Sequence, residues 1–525
     1  MPRPFYTNAA SRPIGRRSFL WACGSLAAAA IWSSRALGAV IQNPKFADYP
    51  FQLGVASGDP SPSGFVIWTR LAPQPMEGGG LAAEEIEVAW QVAEDEQMTK
   101  VVRSGKAIAS PDWAHAVHVE VEGLQPDRWY WYQFRAGGEV SPKGRSRTFP
   151  AAGAQPEKLR LAFASCQHYE SGYFTAYEHM AAEDIDVVAH LGDYIYEGAA
   201  SKGKVREHNS REIETLDEYR NRHALYKTDP ALQAAHAAFP WLLTWDDHEF
   251  DNNCAGAISE EAGILPAAFL ERRARAYQAY YEHMPLRRAC LPKGPDMQLF
   301  RQLDFGNLVN FFVLDTRQYR TDQPCGDGNK PQCDAALDPQ ATLLGDAQEK
   351  WLTAGLASSA AKWNLLAQQV MMARVDRIPG EMVAYSMDQW PGYEMNRRRL
   401  LKFFHERRIS NPVVIAGDIH SNWANDLIAD FDHLDSQVVA SEFVGTSISS
   451  GGDGARTPKD LDRLLAENPF VRFHNAERGY VRCTVTPERW QSDYQVVEYV
   501  TKKGAPLVTR ASFVVEDGQP GVKPA

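Results

Sequence analysis

Five apolar segments in this chain each run directly into side chains that bind cations or anions. The run from Leu159 ends at Cys166, and the run from Asp186 leads into His190-Leu191-Gly192-Asp193-Tyr194-Ile195-Tyr196-Glu197. The run from Trp241 leads into Trp245-Asp246-Asp247-His248-Glu249, that from Leu308 into Asp315-Thr316-Arg317, and that from Val413 into Gly417-Asp418-Ile419-His420. Stretches of helical spacing separate them, at Gly172 to Glu183, Leu216 to Lys227, Ala231 to Ala238, Ala267 to His283 and Asn396 to Arg408. Strands alternating with helices predict a layered α/β fold. In open α/β sheets the carboxyl ends of the strands line the ligand crevice, so the five clusters are expected to converge on one site. One strand-end aspartate would be explained as a helix cap; five such clusters are not.

Residues 40–150 read differently. Phe65 to Arg70, Ile86 to Val92, His115 to Val121 and Trp129 to Ala136 alternate apolar with polar at a period of two, punctuated by Gly, Pro and Asp. This predicts a β-sandwich. The Gly123-Leu124-Gln125-Pro126 turn feeding Trp129-Tyr130-Trp131-Tyr132 is similar to a fibronectin type III strand, although a sandwich of another topology would read alike. No catalytic constellation is visible in it.

The first 39 residues resemble a twin-arginine export signal: Arg16-Arg17-Ser18-Phe19-Leu20, an apolar stretch from Trp21 to Trp32, and Ala36-Leu37-Gly38-Ala39. The stretch falls short of the roughly 20 apolar residues that span a bilayer, so no transmembrane segment is expected in the mature chain. Its five charges are all arginines, so the formal charge passes from −11 (55 bases, 66 acids) to −16 (50 bases, 66 acids) once it is removed. An acidic chain of this kind argues against a nucleic-acid-binding surface, and any anionic ligand must be held by a local device. Six cysteines remain, and an oxidising compartment permits a local bridge across the turn-rich Cys325–Cys333 segment.

Taken together, Gly-Asp-x-x-Tyr at 192–196, Asp-His-Glu at 247–249 and Gly-Asp-x-His at 417–420 resemble the metallophosphoesterase blocks in the variant found in PhoD-type alkaline phosphatases. The Ser165-Cys166-Gln167 ending, the run Thr244 to Phe250 and Leu314-Asp315-Thr316-Arg317-Gln318-Tyr319-Arg320 are similar to that family too. So is the order of parts: signal 1–39, β-sandwich 40–150, phosphatase domain 157–500 with a layered αββα fold, and a C-terminal segment 501–525. Ordinary metallophosphoesterases carry Gly-Asn-His and Gly-His-x-His, where this chain has Asp247 and Asp418.

The donors divide into two kinds. Cys166, Tyr196 and His420 suit a transition metal, and a tyrosinate favours ferric iron. Asp246, Asp247 and Asp418 offer hard oxygens suited to calcium, magnesium or manganese, and Asp193 can bridge two ions. Asp246 and Asp247 are adjacent, so Asp246 is a ligand only if the strand has ended before it. The resemblance implies Fe(3+) with Ca(2+). Such a pair would activate water for in-line attack on a phosphoryl group. Arg317 is the candidate for a two-pronged phosphate contact, and His248 the candidate to protonate the leaving oxygen. The expected function is a secreted or periplasmic phosphoesterase that acts on small-molecule phosphate monoesters and diesters and meets the twin-arginine export machinery. A phospholipase D-like diesterase and a non-catalytic surface binding module are the alternatives.

Overall fold

The computed structural model describes residues 40–378 and 380–525, so the expected export signal lies outside the described residues. Two large sheets organise the chain. In the first, the strands lie in the order Ala116–Val121, Gly64–Arg70, Val55–Ser61, Pro240–Leu243, Val187–His190, Leu159–Ala164, Val471–Val485, Arg489–Val497, Leu507–Glu516 and Gln519–Pro524. The four from Val55–Ser61 to Leu159–Ala164 pair in parallel, and both flanks are antiparallel. In the second the order is Arg301–Phe305, Val309–Val313, Trp363–Ala367, Pro412–Ala416, Val438–Val444 and Asn422–Ile428. The long strand Val471–Val485 belongs to both, pairing first with Asn422 to Asn425 and then with Leu159 to Phe163.

Side-chain alternation creates the layers. Leu161, Phe163, Val187, Ala189 and Leu242 share one buried cluster with Phe311, Val313, Leu365, Val413 and Ile415 of the second sheet. Their neighbours Ala162, Val188, Trp241 and Leu243 face the other way and pack with Tyr177, Leu232, Phe269 and Tyr277, from the helices Thr175–Ala181, Pro230–Ala238 and Pro266–His283. On the second sheet, Phe312, Leu366 and Val414 pack with Leu352, Leu401 and Phe404, from the helices Gly345–Ser358 and Glu394–Arg407. Strands buried on both faces must be apolar at every position, which is why they read as unbroken apolar runs.

The four strands expected between residues 40 and 150 form, at Gly64–Arg70, Ile86–Ala93, Ala116–Val121 and Trp129–Ala136. Ile86–Ala93 and Trp129–Ala136 make a small sheet with Val101–Ala109, whereas Gly64–Arg70 and Ala116–Val121 are the edge of the first large sheet. Phe65, Ile67, Val117 and Val119 pack across onto Val88, Val92, Tyr132 and Phe134. One layer of this β region is therefore hydrogen-bonded to the α/β part, through Ser57 and Gly58 beside Pro240 and Trp241. Residues 501–525 add two antiparallel strands at the far edge of the same sheet. Among the described residues, no helix is long and apolar enough to cross a membrane.

The apolar runs overstate the strands at their carboxyl ends. Ladders stop at Ala164, His190, Leu243 and Ala416, two to four residues before the chemistry begins. Cys166, Asp193, Asp418 and His420 have φ of 58°, 56°, 67° and 52°, left-handed conformations that leave a strand and redirect the side chains.

Candidate active site

Close approach of the strand ends explains the glycine before each of two acids. A Cβ on Gly192, whose φ is 112°, would stand 2.4 Å from Asp246 N and Cβ. A Cβ on Gly417 would stand 2.3 Å from Ser165 Oγ, so only glycine fits either position. The turns are then tied together. Cys166 N donates to Gly192 O and Gln167 N to Asp193 O, both at 3.1 Å. The buried Glu249 carboxylate accepts from the backbone N–H groups of Asp193 (3.1 Å), Tyr194 (2.6 Å) and Asp246 (2.8 Å). Left-handed non-glycine residues cost about 1–3 kcal/mol each, and persist where such bonds over-determine them.

Two groups of donors result, and they share one residue. Single ligand atoms of Cys166, Asp193 and His420 lie within 4.8 Å of one another, as do those of Asp193, Asp247 and His248. Tyr196 Oη is 2.8 Å from Asp193 Oδ2 and 3.1 Å from His420 Nε2, at the edge of the first group. Asp246 and Asp418 stand beside the second group rather than within it. Because the strand has ended at Leu243, Asp246 is free to turn inward, and its Oδ1 accepts from Arg317 Nε at 2.5 Å. Asp418 Oδ2 accepts from Gln389 Nε2 at 2.8 Å, and its Oδ1 is 3.5 Å from Arg317 Nη2.

Arg317 is fully buried. Nη1 donates to Asp388 Oδ1 at 2.7 Å, while Nη2 has no hydrogen-bond partner and lies 3.5 Å from Asp247 and from Asp418. The two-pronged phosphate contact expected of Arg317 is thus not open to it: Nε and Nη1 are committed to carboxylates, and Nη2 alone faces the site. His248 Nδ1 is 2.8 Å from Glu197 Oε2 and must donate to it, which leaves its other nitrogen for the site. The ring lies against Tyr196, tilted by 30°, with centroids 4.1 Å apart.

Burial dominates the electrostatics. It pushes the Cys166 thiol and the Tyr196 phenol well up, with the Asp193 charge adding to both. It also raises Asp193 and Asp246, and pushes Asp418 up to about 6 with the help of Asp388. Burial opposes ionisation of Asp247 too, but Arg317 and His248 overcome it and hold that carboxyl below the usual range. Burial, then Arg478, pushes His420 down to about 3, which keeps the imidazole neutral and able to act as a ligand. Asp193 Oδ1 and Asp246 Oδ2 are buried without a hydrogen-bond partner. Buried acids with orphaned oxygens beside a thiol, a phenol and a neutral imidazole form a donor set that a cation would satisfy.

Several supporting residues carry no signal of their own in the sequence. Ser450 Oγ is 2.7 Å from Cys166 O and 2.8 Å from Tyr196 Oη. Arg478 donates to His420 O at 2.5 Å and to Gly452 O at 2.8 Å. Asp388 links Arg317 to Arg320, whose Nη1 is 2.6 Å from Asp388 Oδ1. Glu197 and Glu249 sit in the motif runs, but only the folded contacts reveal their partners. Elsewhere, Cys325 and Cys333 are bonded, with Cα atoms 5.9 Å apart, while Cys166, Cys254, Cys290 and Cys483 are free and buried.

A strand-end donor cluster of this composition, on this fold, suits a hydrolase acting on phosphoric ester bonds, and the likeness to known proteins shows that class. Residues 161–494 match the PhoD-like phosphatase family and residues 36–150 its N-terminal domain, so the chain belongs to the PhoD-like phosphatases. It is 52% identical over 517 residues to alkaline phosphatase D of Bacillus subtilis (strain 168), a match covering 97% of this chain and 88% of that protein. A solved structure of PhoD superposes with a TM-score of 0.90 at 53% identity, over 92% of this chain and 93% of the other.

Proposed function

We propose that this phosphatase is metal-dependent and hydrolyses both phosphate monoesters and diesters, serving phosphate scavenging outside the cytoplasm. The observation that carries the reading is Asp193, whose carboxylate belongs to both donor groups and keeps one oxygen without a partner. In this reading Cys166, Tyr196, His420 and Asp193 hold a transition metal, with Fe(3+) favoured by thiolate and phenolate donors. Asp193, Asp247, Asp246 and Asp418 hold the harder ion, Ca(2+). Metals bound there would supply Lewis-acid activation of water and charge neutralisation for in-line attack at phosphorus.

The chain's own residues supply the rest. Glu197 fixes His248 by its Nδ1, so the opposite nitrogen can hand a proton to the departing oxygen. Arg317 Nη2, the one arm of that guanidinium without a hydrogen-bond partner, is the arm left for a phosphate oxygen; its other nitrogens keep Asp246 and Asp388 in place. Glu249 holds the Asp193 and Asp246 turns in register through three backbone N–H groups.

We read the small sheet and the edge of the large one as a fibronectin type III-like sandwich, and the two stacked sheets flanked by helices as an αββα phosphatase core. Residues 1–39 are proposed as a twin-arginine signal, which makes the mature enzyme periplasmic or secreted. The test is elemental analysis with a visible spectrum on exported enzyme, combined with rates on p-nitrophenyl phosphate and bis-p-nitrophenyl phosphate. About one iron with calcium, a thiolate or phenolate charge-transfer band, and turnover of both esters are expected. Turnover of the monoester alone removes the diesterase part, and full turnover without bound metal sinks the metal-dependent reading.

A further inference from the structure

The disulfide-closed loop Cys325–Cys333 reaches the carboxylate end of the site by three routes. Asp327 Oδ2 accepts from Asn253 Nδ2 at 2.9 Å, and Asn253 N donates to Asp247 Oδ2 at 2.7 Å. Asn329 and Lys330 pair antiparallel with Ser386 and Tyr385, and Gly328 O accepts from Met387 N at 2.9 Å. The next residue, Asp388, is the acceptor that gathers Arg317, Arg320 and Gln323 on one oxygen, at 2.7, 2.6 and 2.8 Å. Gln389 follows and donates to Asp418. Gln323, two residues before Cys325, donates to Asn253 O at 2.5 Å as well as to Asp388.

Besides the disulfide, the loop is held by the Asn253–Asp327 and Met387–Gly328 hydrogen bonds and one short ladder. Gly326, Gly328, Asn329 and Lys330 are exposed, and its strand is two residues long. A ladder that short does not stand alone in water, and a cross-link removes loop conformations that would compete with it.

We propose that Asp388 is a positioning residue for phosphoester hydrolysis and that the Cys325–Cys333 loop is the strap that sets it, so that closing the disulfide completes the carboxylate half of the site. The inference rests on the functional reading above. In the closing step the two thiols lose two protons and two electrons to a disulfide-exchanging oxidant; its disulfide becomes two thiols as the Cys325–Cys333 bond forms. The thiol form keeps its fold but loses the fixed placement of Arg317, so full activity belongs to an oxidising compartment.

The test is a double-mutant cycle on full-length, metal-loaded enzyme with p-nitrophenyl phosphate. It compares wild type, Asp388→Ala, the Cys325→Ser/Cys333→Ser pair, and all three changes together, with melting temperature and metal content measured for each. Asp388→Ala is expected to lower kcat by about 10–100-fold with KM little changed, as for outer partners of metal ligands. The cysteine pair should lower kcat by a smaller factor, and the triple variant should match Asp388→Ala alone, because both changes act through one group. If Asp388→Ala does not fold, Asp388→Asn takes its place in the cycle. Wild-type kcat in the cysteine pair, or losses that multiply in the triple variant, would overturn the strap. Loss of bound metal in Asp388→Ala alone would make Asp388 a ligand instead and overturn its positioning role. No turnover by the wild type would fail the functional reading itself, a different result from any of these.

Discussion

The two halves of the site bury charge in opposite ways. Around Cys166, Tyr196 and His420 the contacts are Ser165 Oγ 3.2 Å from the thiol, Ser450 and the Asp193 carboxyl on Tyr196, and Arg478 on the His420 carbonyl. Among the described residues no cationic side chain hydrogen-bonds to the thiol or phenol, and burial drives both toward the protonated form. Around Asp246, Asp247 and Asp418 a fully buried guanidinium already offsets the acids, with Asp388 and Arg320 behind it. The lesson is that one half carries its own buried counter-charge. The other has none, and a cation that displaced its protons would supply the missing positive charge.

Asp193 is where the comparison breaks most completely, since it serves both halves. Asp193→Asn, which tolerates the left-handed backbone, is expected to lower kcat/KM on p-nitrophenyl phosphate by about 10³-fold or more; a loss below tenfold would mean the halves do not share a ligand. Arg317→Met removes the internal counter-charge and leaves four carboxylates facing one another. Denaturant unfolding should show a loss of about 3–5 kcal/mol, and a variant as stable as wild type would mean those acids are protonated in the fold. Arg478→Met in the other half removes only bonds to carbonyls and a hydroxyl, and should cost about 1–3 kcal/mol.

Cys166→Ser sharpens the division by metal. Transition-metal affinity is expected to fall by more than the roughly 10–100-fold that loss of a ligand's hydrogen-bond partner costs, while calcium stays; elemental analysis that finds both ions lost together would show one cooperative site. Ser450→Ala is the mildest change, expected to cost about 1 kcal/mol. It should shift any charge-transfer band from the Tyr196 side without altering calcium content, and an unchanged spectrum would separate Ser450 from the ligand.

Much of the site was legible before folding. Strand-end placement identified Cys166, Asp193, Asp247 and His420, and the structure gathers them. The turn-rich segment between Cys325 and Cys333 permitted a local bridge, and the bridge is present. Other residues were invisible for a physical reason. Ser450 lies 284 residues from Cys166, and Asp388 lies 71 residues from Arg317. Asp388 and Ser450 both stand in loops, where no periodicity marks a side chain as inward. Arg317 could be recognised as important, yet the commitment of its nitrogens depends on carboxylates from three other segments.

What the chain determined by itself is what propagates along it: unbroken apolar runs for strands buried on both faces, the glycines that let turns approach, and the chemical types of the donors. Tertiary structure decided where those strands stop, that the N-terminal β region shares a sheet with the α/β part, and which acids a buried guanidinium neutralises. Those outcomes depend on contacts between residues tens to hundreds of positions apart, and periodicity and local propensity carry no information across such distances.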